Sequence, residues 1–231
     1  MGEQIEFPSN GTTGRGYLAV PASGSGPGVV VIQEWWGLNR QIEEVCDRFA
    51  SEGFVALAPD LYRGEETSEP DEAGKMMMSL NLERAAKDMV GAVDFLVGHG
   101  AVTGTGVGVT GYCMGGGLAL WLATLRPDSV KAVVPCYGII PWPAAQPDYT
   151  QLAAPVQGHY AELDDFAGPE AVRKLEEELQ GLGKQCEFFI YPGTQHAFTN
   201  NHRPDVYDEA ATEQVWARTV SFFREKLARH G

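Results

Sequence analysis

Residues Val107 to Ala123 read VGVTGYCMGGGLALWLA. Val107, Val109 and Thr110 are β-branched and suit a strand, whereas Leu118 to Ala123 is a run that suits a helix. Between them stand Gly111, Cys113 and Gly115 to Gly117, so the chain has to pass from strand to helix within a few residues. In Gly111-Tyr112-Cys113-Met114-Gly115 one nucleophilic side chain sits at the apex, and the glycines keep neighbouring groups from colliding there. A thiol so placed lies at a helix amino terminus, whose dipole favours thiolate. The overlapping Gly106 to Gly111 matches G-x-G-x-x-G but is a decoy. A dinucleotide fingerprint follows a strand and opens a helix, and here the first two glycines precede or begin the strand.

Outward from this point, short apolar runs alternate with longer amphipathic ones. GYLAVPA (16–22), GVVVIQ (28–33), FVALAPD (54–60), AVVPCYG (132–138), APVQGHYA (154–161) and CEFFIYPG (186–193) read as strands. Helices are predicted from Asn39 to Glu52, Leu82 to Val97, Glu170 to Leu179 and Asp208 to Ala228. Gly64 to Gly74 reads as a charge-rich variable segment, and Pro141, Pro143 and Pro147 mark a long loop. Strands that are apolar throughout, separated by helices, predict one α/β domain over residues 1–231, with a mostly parallel sheet covered by helices on both faces.

Composition narrows the function. With 31 Asp and Glu against 17 Lys and Arg the formal charge is −14, which repels phosphate backbones and anionic lipid, so neither nucleic acid nor membrane is an expected partner. The first residues, MGEQIEFP, lack a basic stretch and an apolar stretch, and a cytoplasmic location is expected. Cys46, Cys113, Cys136 and Cys186 are widely spaced, as free thiols would be, and form no Cys-x-x-Cys pair for zinc. No metal or organic cofactor is expected.

The form G-x-nucleophile-x-G is the nucleophile elbow of α/β-hydrolases, with cysteine in the usual place of serine. That fold supplies its partners in the chain order nucleophile, acid, histidine. Of the five histidines, His196 directly follows the last predicted strand, where the base belongs; His159 lies within a strand, and His99, His202 and His230 lie in polar loop or terminal surroundings. For the acid, the turn after APVQGHYA offers both Asp164 and Asp165. Glu34, followed by Trp35 and Trp36 in QEWWGLN, ends the strand 28–33, beside the nucleophile in such a sheet. The amide N–H groups of Trp35 and Met114 would form the oxyanion hole.

QEWWGLN, APDLY, GYCMGGG, the Asp164 turn and GTQHAF, in this order, resemble the dienelactone hydrolase (carboxymethylenebutenolidase-like) family from about Gly16 to the terminal helix. The resemblance implies an α/β-hydrolase fold, a Cys113–His196–Asp164 triad, and Glu34 as the group that keeps the resting thiol neutral and takes its proton when substrate binds. Family members hold a substrate carboxylate with two arginines. Here the position four residues beyond the histidine is Asn200, and residues 65–81 contain Lys75 but no arginine; Arg203 is the other nearby cation. Trp36, Met77, Phe198, Asn200 and Arg203 are the candidate substrate contacts. The run Met76 to Met78, with Trp35, Trp36 and Phe198, fits either an apolar, adaptable pocket or ordinary core. The expected activity is hydrolysis of a small-molecule ester or lactone by a monomer or weak homo-oligomer. Two alternatives stay open: a promiscuous carboxylesterase or thioesterase for neutral acyl groups, and a non-catalytic ligand-binding or redox-sensing relative.

Overall fold

A computed structural model of the chain describes residues 2–228. In chain order the strands are β1 (Glu3–Ser9), β2 (Thr12–Ala19), β3 (Gly26–Ile32), β4 (Val55–Pro59), β5 (Val102–Tyr112), β6 (Val130–Cys136), β7 (Val156–Leu163) and β8 (Cys186–Gln195). The helices are α1 (Arg40–Ser51), α2 (Pro70–Met78), α3 (Leu82–Gly98), α4 (Met114–Leu125), α5 (Pro169–Gly181) and α6 (Glu209–Ala228). The strands form one sheet in the order β1-β2-β4-β3-β5-β6-β7-β8. From β4 to β8 all neighbours are parallel, while β1 and β2 add an antiparallel edge. This is the α/β-hydrolase fold.

Two elements depart from the sequence reading. The hairpin β1–β2 was not anticipated, although its turn carries the strongest short hairpin signal, Asn-Gly: Asn10 and Gly11 have φ of 42° and 91°, the left-handed backbone such turns require. Helix α2 begins inside the stretch expected to be irregular. Pro70 occupies its first turn with Asp71 and Glu72, a pairing that complements a helix amino terminus but reads in sequence as a polar loop. His230 lies outside the described residues.

Helices α1 and α6 share one face of the sheet, where Phe49 packs on Trp216 and Phe223 at ring centroid distances of 4.6 and 6.0 Å. Helices α3, α4 and α5 cover the other face, with Met89, Val93, Leu118, Leu122 and Leu179 fully buried. The three parallel strands β3, β5 and β6 lie side by side, so their carboxyl ends bring Glu34, Cys113 and Tyr137 to one edge. The glycines of the elbow set how close those ends come. A Cβ on Gly115 would collide with the carbonyls of Ile32 and Gln33, and one on Gly116 would lie 2.8 Å from Cys136 O. Gly115→Ala is therefore expected to cost at least the ~1–3 kcal/mol typical of overpacking, because backbone cannot move aside as a side chain can. Urea unfolding of the variant checks this, and wild-type stability would contradict it.

Candidate active site

Cys113 sits between β5 and α4 with φ 55° and ψ −121°, a conformation that costs a non-glycine residue energy and persists only where its surroundings enforce it. Two backbone hydrogen bonds enforce it: Cys113 N–H donates to Cys136 O at 3.0 Å, and Gly116 N–H donates to Cys113 O at 2.9 Å. The side chain is buried. Met114 opens α4, and the first N–H groups of a helix have no partner within it, so its amide is available to an anion.

His196 follows β8 on a turn in which Ala197 is also left-handed, at φ 65°. Its Nδ1 lies 2.8 Å from Asp164 Oδ2. The other oxygen, Asp164 Oδ1, accepts the N–H groups of Phe166 (2.7 Å) and Ala167 (3.0 Å). Asp164 is thus a buried carboxylate locked by its own turn, whereas Asp165 is exposed. Burial opposes charge on both partners. For Asp164 the bonds from His196 and the two amides outweigh it, and its pKa falls below the ordinary value. For His196 burial likewise pulls down, but hydrogen bonds to Asp164 and to Cys113, together with their charges, raise the pKa to about 10. Cys113, His196 and Asp164 are therefore gathered in one place.

Glu34, at the end of β3, is almost entirely buried. Asn200 Nδ2 donates to its Oε2 at 2.8 Å, and Tyr137 Oη donates to its Oε1 at 3.2 Å. Burial lifts its pKa above the usual carboxylate range, while the charge of His196, the two hydrogen bonds and the charge of Arg203 pull it back in part. Tyr137 was not singled out in the sequence. It follows β6 directly in the left-handed region, φ 36°, and its hydroxyl also lies 2.7 Å from Thr199 Oγ1. A strand-end position in this sheet was the signal that could have found it.

The predicted substrate contacts separate. Trp35, Trp36, Asn200 and Arg203 line an open cleft of about 490 Å³ with Asn39, Thr67, Ser68, Pro70 and His202. Met77 lines an adjoining hollow with Trp35 and Met78. Phe198 is fully buried, with Tyr137 and Tyr191 at ring centroid distances of 5.6 and 5.2 Å, and is core rather than cleft wall. Asn200 is spent on Glu34 and on the His202 N–H, which it accepts at 3.0 Å. The Arg203 guanidinium is paired with Asp205 at 2.8 Å. Lys75 is exposed on α2. His159 is buried and pushed down to about 3 by burial and by Arg218, with its ring nitrogens near the hydroxyls of Tyr191 and Thr219. Cys136, raised to about 12 by burial, and Cys46, raised further by the same cause, are core thiols; Cys186 is partly buried. Among the described residues no group of three or more His, Cys, Asp or Glu could hold a metal ion, and no helix is long and apolar enough to cross a membrane.

The family model described as "Dienelactone hydrolase family" matches residues 15–227. The chain is 41% identical over 233 residues to "Protein usf" of Aquifex pyrophilus, covering 98% of this chain and 100% of that protein. It is 36% identical over 238 residues to a "Putative carboxymethylenebutenolidase" of Aquifex aeolicus, at the same coverage. Among solved structures, a "Putative Dienelactone Hydrolase" from Klebsiella pneumoniae superposes with a TM-score of 0.87 at 26% identity, covering 97% of this chain and 98% of that one.

The His196 shift has a sign in stability. Its folded pKa, about 10, lies above the ordinary 6.5, so the stabilisation is complete below about pH 6.5 and is lost as pH rises through about 10. In urea unfolding across that window the wild type is expected to lose stability relative to its value near pH 6, and His196→Gln to show a flatter profile. Parallel profiles would mean that the imidazole gains no proton affinity from Asp164 and Cys113.

Proposed function

The chain belongs to the dienelactone hydrolase family, and from that premise we propose that it hydrolyses a carboxylic ester or lactone through an acyl-enzyme on Cys113. What supports this reading most is the 2.8 Å pairing of His196 with a buried, turn-locked Asp164, with the imidazole in hydrogen-bonding reach of a thiol on a left-handed elbow. A nucleophile, a base and an orienter in contact are the requirement of covalent acyl transfer.

The proton inventory follows from the local fields. The hydrogen bond and charge of Asp164 favour a protonated imidazole, which is then poised to give its proton to the departing alkoxide. The thiol proton then needs another acceptor, and Glu34, a buried carboxylate with raised proton affinity, is suited to take it. Cys113 Sγ attacks the acyl carbon as its proton passes to Glu34. The oxyanion is held by the Trp35 and Met114 amides. Collapse expels the alkoxide, which leaves with the His196 proton. Neutral His196 then draws a proton from water as that water attacks the thioester, and expulsion of thiolate releases the acid. The setting is the cytoplasm, where free cysteines stay reduced.

Neutral acyl groups suit the cleft better than an anionic lactone. Asn200 is committed to Glu34, Arg203 to Asp205, and an exposed lysine gives no bidentate grip. A dienelactone with a free carboxylate is therefore expected to be favoured over its methyl ester by less than about a hundredfold in kcat/KM, roughly 2.7 kcal/mol. A larger preference would show that one of these cations anchors the carboxylate after all. For the acyl-enzyme itself, iodoacetamide is expected to abolish ester turnover with the label on Cys113, and Cys113→Ala to be inactive. Turnover by Cys113→Ala at the wild-type rate would end this reading, and labelling of Cys113 in a protein that turns over no ester would favour a redox or binding role.

A further inference from the structure

We propose that Tyr137 and Thr199 form a proton relay that connects buried Glu34 to a small side cavity distinct from the substrate cleft and lined in part by α1. The inference rests on the acyl-enzyme reading, in which Glu34 receives the thiol proton.

Glu34 has two hydrogen-bonding neighbours, and only one can accept a proton. The Asn200 amide N–H₂ is a donor with nothing to accept on that nitrogen, whereas the Tyr137 hydroxyl both donates and accepts. The next group, Thr199 Oγ1 at 2.7 Å from Tyr137 Oη, is again a hydroxyl. Thr199 in turn lines a cavity of about 100 Å³ together with Tyr112, Gln41, Glu44, Val45 and Tyr207. That volume has room for a few waters, and its wall is polar enough to hold them. Gln41 supplies an independent sign that it does: the side chain is 3% exposed and its Oε1 has no protein partner among the described residues, a costly state that a water would relieve. Glu44, partly exposed at this cavity, pairs with His202 and offers an ionised acceptor near bulk solvent.

In the resting enzyme the chain of donors points inward, with Thr199 donating to Tyr137 and Tyr137 to the Glu34 carboxylate. Once Glu34 is protonated the chain reverses. The Glu34 proton moves to Tyr137 Oη, the phenol proton moves to Thr199 Oγ1, and the threonine proton passes to cavity water. Each hydroxyl gains one proton and loses one, so both stay neutral while Glu34 regains its negative charge and the proton is carried by cavity water past Glu44 to bulk solvent. The moves must be concerted, because burial and the adjacent carboxylate hold the phenol far above its ordinary pKa and forbid a lone phenolate. The charges around Glu34, those of His196 and Arg203 with the neutral Cys136 thiol nearby, all lie outside this chain. Glu34 can thereby return to carboxylate while the acyl group still fills the front cleft. The thiolate expelled on deacylation then recovers its proton from the product acid.

The test is steady-state hydrolysis of phenyl acetate in H₂O and D₂O. Thr199→Val keeps the shape but removes the relaying hydroxyl; it is expected to lower kcat by at least about tenfold, toward the 10²–10⁴ that positioned proton transfer contributes. KM should stay within about twofold, and the solvent isotope effect should change. Thr199→Ser is expected to restore the wild-type values. Val45→Phe, which adds bulk to the cavity wall, is expected to slow kcat in the same way. Wild-type kcat and isotope effect in either Thr199→Val or Val45→Phe would overturn the relay, as would a fall in stability with a rise in KM that serine does not rescue. Ester turnover that Cys113→Ala abolishes keeps the acyl-enzyme reading standing through such a failure; a wild type without ester turnover removes both.

Discussion

Everything at the candidate active site depends on how closely three strand ends approach the amino terminus of α4. Gly115 lies against the carbonyls that end β3, and Gly116 and Gly138 face one another across the end of β6. With a side chain at either helical position the ends of β3 and β6 would be pushed outward, and with them Glu34 and Tyr137. The close approach is what lets Cys113 N–H reach Cys136 O, and that bond helps hold the cysteine in its left-handed conformation. Cys113, Tyr137 and Ala197 are three of the five non-glycine residues with positive φ among the described residues, and all three border the site. Backbone strain is concentrated where packing around it is tightest, as expected when a reactive geometry is maintained by the rest of the fold.

The second cost is electrostatic. A carboxylate as deeply buried as Glu34 is tolerated only with donors, and it has two, drawn from different elements: Tyr137 after β6 and Asn200 after β8. Asn200 in turn accepts the His202 N–H, so the turn that presents His196 is tied to the same carboxylate. The residue four places beyond the histidine thereby supports Glu34 at the border of the cleft. An arginine there would bring a charge both to Glu34 and to the cleft; an asparagine satisfies the carboxylate while adding no charge to either.

Period and turn chemistry make most of the fold legible in the sequence itself. The apolar runs of β3 and β6 read directly as buried parallel strands, and the helix expected from Asn39 is present as α1, with Asn39 as its N-cap. The hairpin β1–β2 escaped because β1 alternates with exposed charged residues, a weak pattern beside the buried strands, and α2 escaped because its polar face dominates a nine-residue helix. At the site, residue type and chain order singled out Cys113 and His196, a strand-end position singled out Glu34, and the family resemblance chose Asp164 over Asp165. Tyr137, Thr199 and the burial of Phe198 were not legible. Their positions follow from the course of backbone after a strand, which no periodicity encodes, and an aromatic beside a histidine reads alike as pocket or as core.

The two carboxylates of the site show how one fold assigns opposite tasks to one functional group. Both are buried, so burial alone would raise both. Asp164 receives three hydrogen bonds, two of them from its own backbone turn, and these with the imidazole charge bring its affinity for a proton below normal. Glu34 receives two, one of them long at 3.2 Å, and they do not offset its burial. A carboxylate with lowered proton affinity serves to hold an imidazolium; one with raised affinity serves to receive a proton. His196 is hydrogen-bonded to Asp164, which raises its proton affinity against burial, so base and acid duties in the proposed reaction fall to different residues. The division of labour thus follows from the deeper burial of Glu34 and from its fewer donors, set by whether the carboxylate is followed by a turn that folds its own amides back on it, as after β7, or by the tryptophan loop after β3, which leaves it to side chains from two other elements.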